Sequence, residues 1–149
     1  MQVTIGRYDY SLDPKNRLVV PGRYREALLA EKGGHFIMSV GLDRCIWLFL
    51  PSQWEAFLED SKTSTRGMKG EKARAVKRHI FSSAIEAELD EQGRILVPQH
   101  LKEHADLKKD VVVSGAGNKA EIWDSQSWER YSRKRAGPSF ESMAKDLDL

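Results

Sequence analysis

With 149 residues, 40% of them hydrophobic and 31% charged, the chain has the make-up of a soluble globular protein: one ordinary domain, or two small units sharing a core. Its longest apolar run, Cys45 to Leu50, is six residues, far short of the roughly 20 that a membrane-crossing helix needs. No charged-then-apolar start reads as a signal peptide, so a cytoplasmic location is expected, and a single cysteine excludes an internal disulfide or a Cys-rich zinc site.

Val3 to Leu12, with its Val, Thr, Ile and Tyr residues, predicts a strand. Asp13-Pro14-Lys15-Asn16 then makes a tight turn: Asp bonds its own backbone, Pro presets φ, and Asn tolerates the left-handed region. Leu18-Val19-Val20 returns as a strand, and Pro21 opens a helix to about Glu31 with Tyr24 and Leu28 on its buried stripe. Phe36 to Leu42 and Ile46 to Leu50 form a hairpin turning at Gly41 to Arg44. Ser52 and Glu55 suggest a capping box for a helix carrying Trp54, Phe57 and Leu58.

Ser61 to Gly70 reads as a mobile loop and Glu71 to Ser82 as a basic helix with Ala73, Val76, Ile80 and Phe81 on its apolar side. Next come a second tight turn at Asp90 to Gly93, a return strand Ile95-Leu96-Val97, and a helix from Pro98 to Asp106. A hairpin of Val111 to Gly115 and Ala120 to Trp123 turns at Gly117-Asn118-Lys119, and a last helix starting near Asp124 carries Trp128 and Tyr131 before Gly137-Pro138 breaks it.

The second half therefore repeats the first. Asp13…Arg17…Pro21 and Asp90…Arg94…Pro98 are 77 positions apart, whereas Gly41 and Trp54 precede Gly115 and Trp128 by 74. The first copy thus has three extra residues, placed most simply in a loop around Glu31 to His35. A lone hairpin of this size buries little and exposes backbone edges. Two related hairpins crossing about a pseudo-twofold axis would remove both problems.

Charge is unevenly spread behind a net +2. Arg7 to Arg25 has five Lys/Arg against two Asp, and Arg66 to His79 has six against one Glu. The tail from Gly137 has one Lys against three acids. Two basic tracts point to a polyanion partner more than to a membrane.

His100 and His104 are spaced for one helix face but lack a metalloprotease Glu, so no metal site is expected. No phosphate loop, activated nucleophile or metal cluster marks an enzyme, and no catalytic residue, cofactor or small-molecule substrate is assigned.

On the doubled Asp-x-x-x-Arg turn with its Pro and helix, the segment Asn118-Lys119-x-Glu121-x-Trp123, and the paired Trp54 and Trp128, the chain resembles the MraZ family over about residues 6 to 133. That family comprises bacterial transcriptional regulators built from two SpoVT-AbrB-type swapped-hairpin units. Asn16 stands where the family's first motif usually has Gly, and its aromatic-Arg-Gly start is matched only by Gly6.

The resemblance implies an α+β fold, mainly β with short helices, whose tandem swapped hairpins form a pseudo-twofold, β-barrel-like core. On this reading residues 1–60 are the first repeat, 61–82 a basic linker loop and helix, 83–134 the second repeat, and 135–149 an acidic flexible tail. It further implies a ring-like homo-oligomer that binds double-stranded DNA in the nucleoid, at repeated boxes upstream of the division and cell-wall gene cluster and of its own gene.

On the residues, Arg17 reads bases or clamps phosphate, Asp13 shapes the turn and orients it, and Lys15, Arg23 and Arg25 contact backbone phosphates. The alternatives are an internal Asp13–Arg17 pair and a solvated basic face. Between Asp90 and Asp106 four acids face two bases, which assigns Asp90 and Arg94 mainly to fold and subunit contact, with a DNA role second. The rival functions are an AbrB-like antitoxin or general DNA-binding regulator, and an oligomeric scaffold that binds no DNA.

Overall fold

A computed structural model describes residues 2–63, 70–137 and 139–148. The first arm is β1 (Arg7–Ser11), the turn from Asp13, and β2 (Arg17–Val19). Helix α1 (Gly22–Ala30), the hairpin β3 (Phe36–Val40) with β4 (Ile46–Phe49), and α2 (Pro51–Thr63) complete the first repeat. Helix α3 (Glu71–Ser83) leads into the second: β5 (Ile85–Ala87), β6 (Arg94–Leu96), α4 (Gln99–His104), β7 (Asp110–Gly115), β8 (Ala120–Asp124) and α5 (Ser125–Tyr131). A π-helical turn over Ser132–Ala136 precedes a short helix α6 (Phe140–Ala144) in the acidic segment. Of the expected mobile loop, residues 64–69 lie outside the described residues, as does Pro138 of the expected helix break.

The fold is α+β, with the arms exchanged between repeats as expected. β1 and β2 do not pair with each other. β1 joins the second repeat's hairpin through β7, β5 joins the first repeat's hairpin through β3, and β2 pairs with β6. All pairings are antiparallel, giving one sheet in the order β1-β7-β8-β4-β3-β5 and a separate ribbon β2-β6. The six-stranded sheet stays open, with β1 and β5 as its edges. Leu18 opposes Ile95, its own counterpart, at the ribbon's centre, and Trp47 opposes its counterpart Glu121 where β4 meets β8. Each exchanged strand satisfies the edge that the other repeat's hairpin would otherwise leave open.

Strand register also relocates the three extra residues of the first repeat. Tyr8 opposes Val113 and Tyr10 opposes Val111, while their counterparts Ile85 and Ala87 oppose Met38 and Phe36. Phe36 and Met38 therefore correspond to Val111 and Val113, 75 positions on, whereas Ile46 corresponds to Ala120, 74 positions on. A net two of the insertions lie ahead of β3, where α1 runs nine residues against six in α4; the link around Glu31 to His35, residues 31–35, is no longer than its counterpart, 105–109. The third is in the β3–β4 turn, which needs five residues, 41–45, against the four, 116–119, of the β7–β8 turn. There Asp43 and Arg44 take positive φ, a conformation that non-glycine residues adopt at a cost.

The period-2 alternation of the strands divides the interior in two. One face of the sheet packs Phe36, Met38, Ile46, Leu48, Val111, Val113 and Ile122 against the ribbon's Leu18, Val20, Ile95 and Val97 and against Tyr24, Leu28 and Leu101 of α1 and α4. The other face gathers Cys45, Trp47, Phe49, Val112 and Trp123 under Trp54 and Phe57 of α2, Ile80 of α3 and Trp128 of α5. Each fully buried Leu, Ile or Phe contributes about 1.5–3 kcal/mol, and both repeats supply each core.

Helix starts differ from the sequence reading in one place. Ser52 and Glu55 form no capping box. Ser52 donates through its backbone N–H and its hydroxyl to Glu31 of the first repeat (2.9 and 2.7 Å), while Gln53 Oε1 accepts from the Leu50 N–H at 2.9 Å. In α5 the expected start holds: Asp124 caps it by accepting from the Gln126 and Ser127 N–H groups.

Candidate nucleic-acid interface

The two Asp-x-x-x-Arg turns fold alike. At the first, the Asp13 N–H donates to the Arg17 carbonyl (3.0 Å) and the Asn16 N–H to the Asp13 carbonyl (2.9 Å). Asp13 Oδ1 accepts from the Lys15 and Arg17 N–H groups at 2.9 and 2.8 Å, and Oδ2 accepts from Arg17 Nε at 2.5 Å. At the second, Asp90 Oδ1 accepts from the Gln92 and Arg94 N–H groups at 2.8 and 2.9 Å, and Oδ2 from Arg94 Nε at 2.9 Å. Four-residue spacing is what lets one carboxylate close the turn and hold the arginine that ends it.

These bonds set the charge state. Desolvation pushes the Asp13 carboxyl up, but the Arg17 N–H, the Arg17 guanidinium and the Lys15 N–H outweigh it and hold its pKa below the ordinary 3.8. Asp90 is also lowered, chiefly by the Arg94 N–H, against a smaller upward push from desolvation. Both are carboxylates at neutral pH.

The turns differ in what reaches them from the other repeat. Arg94 extends Nη1 to Asp13 Oδ2 at 3.4 Å, so this one carboxylate binds an arginine from each repeat. Lys102 of α4 donates to Asn16 Oδ1 at 2.9 Å. Its counterpart, Arg25 of α1, donates from Nε to the Val20 carbonyl at 3.1 Å and lays its guanidinium over Gly93. A Cβ at Gly93 would stand 2.7 Å from Arg25 Nη1. Asn16 and Gly93 share a positive φ, 60° and 76°. One supplies an acceptor to a lysine and the other makes room for an arginine, which accounts for the departure from Gly at the first turn.

The residues singled out in the sequence thus have distinct settings. Lys15 and Arg23 are exposed, and the side chain of neither is bonded to another among the described residues. Arg17 is about one-third exposed and engages Asp13 through Nε alone, leaving its terminal amino groups unbonded among the described residues. Arg25 is half-buried and holds the second turn. Arg94 is enclosed by Asp90 and Asp13.

Sequence reading missed the lysines that the exchange brings alongside. A cleft of about 490 Å³ at the first turn is lined by Asp13, Pro14 and Asn16 together with Lys102, Lys108 and Lys109 of the second repeat. No sequence signal marks the two later lysines, because only the pairing of β1 with β7 puts them there.

The other shared segment, Asn118-Lys119-x-Glu121-x-Trp123, serves the core. Lys119 Nζ lies 4.7 Å over the Trp47 ring, and Glu121 accepts from Trp123 Nε1 at 3.2 Å. Among the described residues no group of three or more His, Cys, Asp or Glu could hold a metal ion, and no helix is long and apolar enough to cross a membrane.

A family model described as "MraZ protein, putative antitoxin-like" matches residues 4–78 and again 80–149, one match per repeat. The chain belongs to the MraZ family. Relatives named "Transcriptional regulator MraZ" include one from Heliobacterium modesticaldum, 45% identical over 145 residues, 96% of this chain and 95% of the relative. Those from Pelotomaculum thermopropionicum and Caldanaerobacter subterraneus subsp. tengcongensis are 41% and 40% identical, each over 97% of this chain and at least 96% of their own. Each match contains one of the two turns described above.

Proposed function

We propose that this chain is a sequence-specific DNA-binding transcriptional regulator whose first turn is the tip that meets DNA. The observation that carries this reading is the buttressed Arg17. Held through Nε by Asp13, it keeps four N–H donors on its terminal nitrogens. A guanidinium fixed in this way can form the planar two-bond contact to guanine O6 and N7 in the major groove. The names of the relatives support a regulatory role.

In this reading Arg17 reads bases, Asp13 aims it, and Lys15 and Arg23 take backbone phosphates. Arg25, Asp90 and Arg94 act through the fold and subunit contacts. The target is double-stranded DNA carrying repeated boxes ahead of the division and cell-wall gene cluster, this protein's own gene included, and the site of action is the cytoplasmic nucleoid. One tip discriminates by only about 1–3 kcal/mol per good bidentate contact. A ring-like homo-oligomer setting several tips on successive repeats multiplies that preference through effective concentration. Neither a membrane nor a small-molecule substrate enters the scheme.

The test is a gel shift on the DNA upstream of the chain's own gene against a scrambled duplex. Arg17→Ala is expected to lose discrimination between the two, about 5- to 150-fold per bidentate contact. Arg17→Lys keeps the charge but not the fork, so it should still bind but discriminate poorly. Unchanged discrimination in both variants, with the fold intact, would refute the assignment.

A further inference from the structure

We propose that Lys108 and Lys109 of the second repeat, with Lys102 beside them, form a phosphate clamp that holds the DNA backbone next to the Arg17 tip. The inference rests on the reading of that tip as the DNA contact and adds the part the second repeat plays in it. Counted along the chain, the second repeat looks unsuited to DNA: four acids face two bases from Asp90 to Asp106. Strand exchange changes that. Its lysines next to β7 sit at the other repeat's turn, not at its own.

The anchoring of these lysines is specific. The Leu12 N–H donates to the Lys109 carbonyl at 2.8 Å, which fixes the entry to β7 against the residue before Asp13. The Lys108 N–H donates to Asp124 Oδ1 at 3.1 Å, and Asp124 is buried. Both backbones are therefore held while both side chains stay exposed. Lys102 reaches the same cleft through its bond to Asn16.

Acids around the cleft do not cancel this charge. Asp13 spends its carboxylate on two backbone N–H groups and two arginines. Lys108 pairs with Asp106 at 3.4 Å, but both partners are more than half exposed, and such surface pairs are worth about 0–1 kcal/mol. A phosphate oxygen can displace that contact. Asp110, which follows Lys109 in the chain, keeps its charge but is not among the residues lining the cleft; it accepts from Ser11 Oγ at 3.0 Å.

Among the described residues the second turn gathers no such set. At the repeat spacing of 77 Arg25 stands for Lys102 and Glu91 for Pro14, and at the spacing of 75 set by the β3 and β7 register Gly33 and Gly34 stand for Lys108 and Lys109, with Glu31 and Lys32 left at the end of α1. Glu31 is turned to Ser52 and Gln2. Each chain therefore has one DNA-facing tip built from both repeats: the first contributes the reading arginine and the second contributes the clamp.

The discriminating experiment measures affinity against salt, by fluorescence anisotropy, for the operator duplex and for a scrambled one. Removing one lysine–phosphate interaction flattens the slope of log K against log salt by about 0.9. Lys108→Gln/Lys109→Gln should thus lower it by up to about 1.8, equally on both duplexes, with their affinity ratio unchanged. A charge-matched control, Lys32→Gln/Lys145→Gln, should leave the slope where it was. The unfolding midpoint of both variants should match the parent, since all four side chains are exposed.

An unchanged slope in the Lys108/Lys109 variant while the parent binds, or an equal flattening in the control, would overturn the clamp and leave the Arg17 assignment standing. Loss of selectivity with an unchanged slope would also overturn it. A parent chain that binds neither duplex at low salt would bring down both readings.

Discussion

Leu18 and Ile95 face each other at the centre of the ribbon, one from each repeat, and each is about 1% exposed. Truncating either to Ala removes a buried aliphatic side chain that neighbours cannot readily replace, because the ribbon above and the sheet below are both close-packed. Such changes cost about 2–5 kcal/mol, against a total stability of about 5–15 kcal/mol for a domain. At 149 residues, each kcal/mol lowers the midpoint by about 2–4 °C, so a 3 kcal/mol loss is roughly 6–12 °C. The second truncation enlarges the cavity made by the first. The pair should therefore be non-additive by about 0.5–3 kcal/mol.

Urea unfolding at fixed protomer concentration, followed by tryptophan fluorescence and far-ultraviolet circular dichroism, measures this. Trp47 and Trp54 report on one repeat and Trp123 and Trp128 on the other. With exchanged arms the two repeats should unfold in one coincident transition in every variant. The exchanged architecture would be refuted if Ile95→Ala split the transition, melting the second repeat and sparing the first. Single-site costs below about 1 kcal/mol would refute it as well.

Acid should loosen the turns: Asp13 and Asp90 have folded pKa values below 3.8. Their contribution is therefore complete above that value and is lost as pH falls through the lower folded values. Asp13→Asn/Asp90→Asn should show a flatter stability profile below about pH 4 than the parent in a series of urea titrations. The Cys45 thiol is buried, with burial and the neighbouring Glu121 pushing its pKa upward. It should resist a disulfide-exchange reagent in the native protein at about pH 8 and react within the dead time once unfolded; fast native reaction would contradict the burial. At Gly115 an added Cβ would lie 2.4 Å from the Ile5 Cα. Gly115→Ala should push the Thr4–Gly117 bridge aside, costing about 1–3 kcal/mol, visible as faster hydrogen exchange at Thr4 and Gly117.

What could be read from the sequence was local. The Asp-x-x-x-Arg spacing specifies a turn by itself, since one carboxylate reaches the N–H groups two and four residues on, and both copies obey it. The buried stripes of α1 and α4 and the aromatic cover of the sheet follow from side-chain period in the same way.

The misses depend mainly on which of several possible partners a residue meets once the strands are paired. Ser52 and Glu55 match a capping pattern, yet Glu31 takes the serine and Gln53 takes the leading N–H. The inserted residue in the β3–β4 turn is invisible to an alignment that pairs Gly41 with Gly115, because the two glycines do not occupy equivalent positions in their hairpins. The charge count from Asp90 to Asp106 stops short of Lys108 and Lys109, which pairing of β1 with β7 sets beside the first turn.

A duplicated chain keeps two turns whose surroundings need not be equal. In a homodimer of single repeats the two tips are identical by symmetry, and any lysine near one is near both. Fusing the copies removes this constraint while the shared cores hold the geometry. Arg25 and Lys102 still reach across to the opposite turn as mirror partners, but Asn16 has become an acceptor where Gly93 remains a seat. Arg94 has been drawn onto Asp13, with no reciprocal bond from Arg17 to Asp90 among the described residues. An arginine enclosed by two carboxylates is a structural tie; one held by a single carboxylate, with lysines at its side, is available to a ligand. The difference between the two turns therefore comes from the residues each repeat presents to the other, Arg94 to Asp13 and Lys102 to Asn16 on one side and Arg25 to Gly93 on the other.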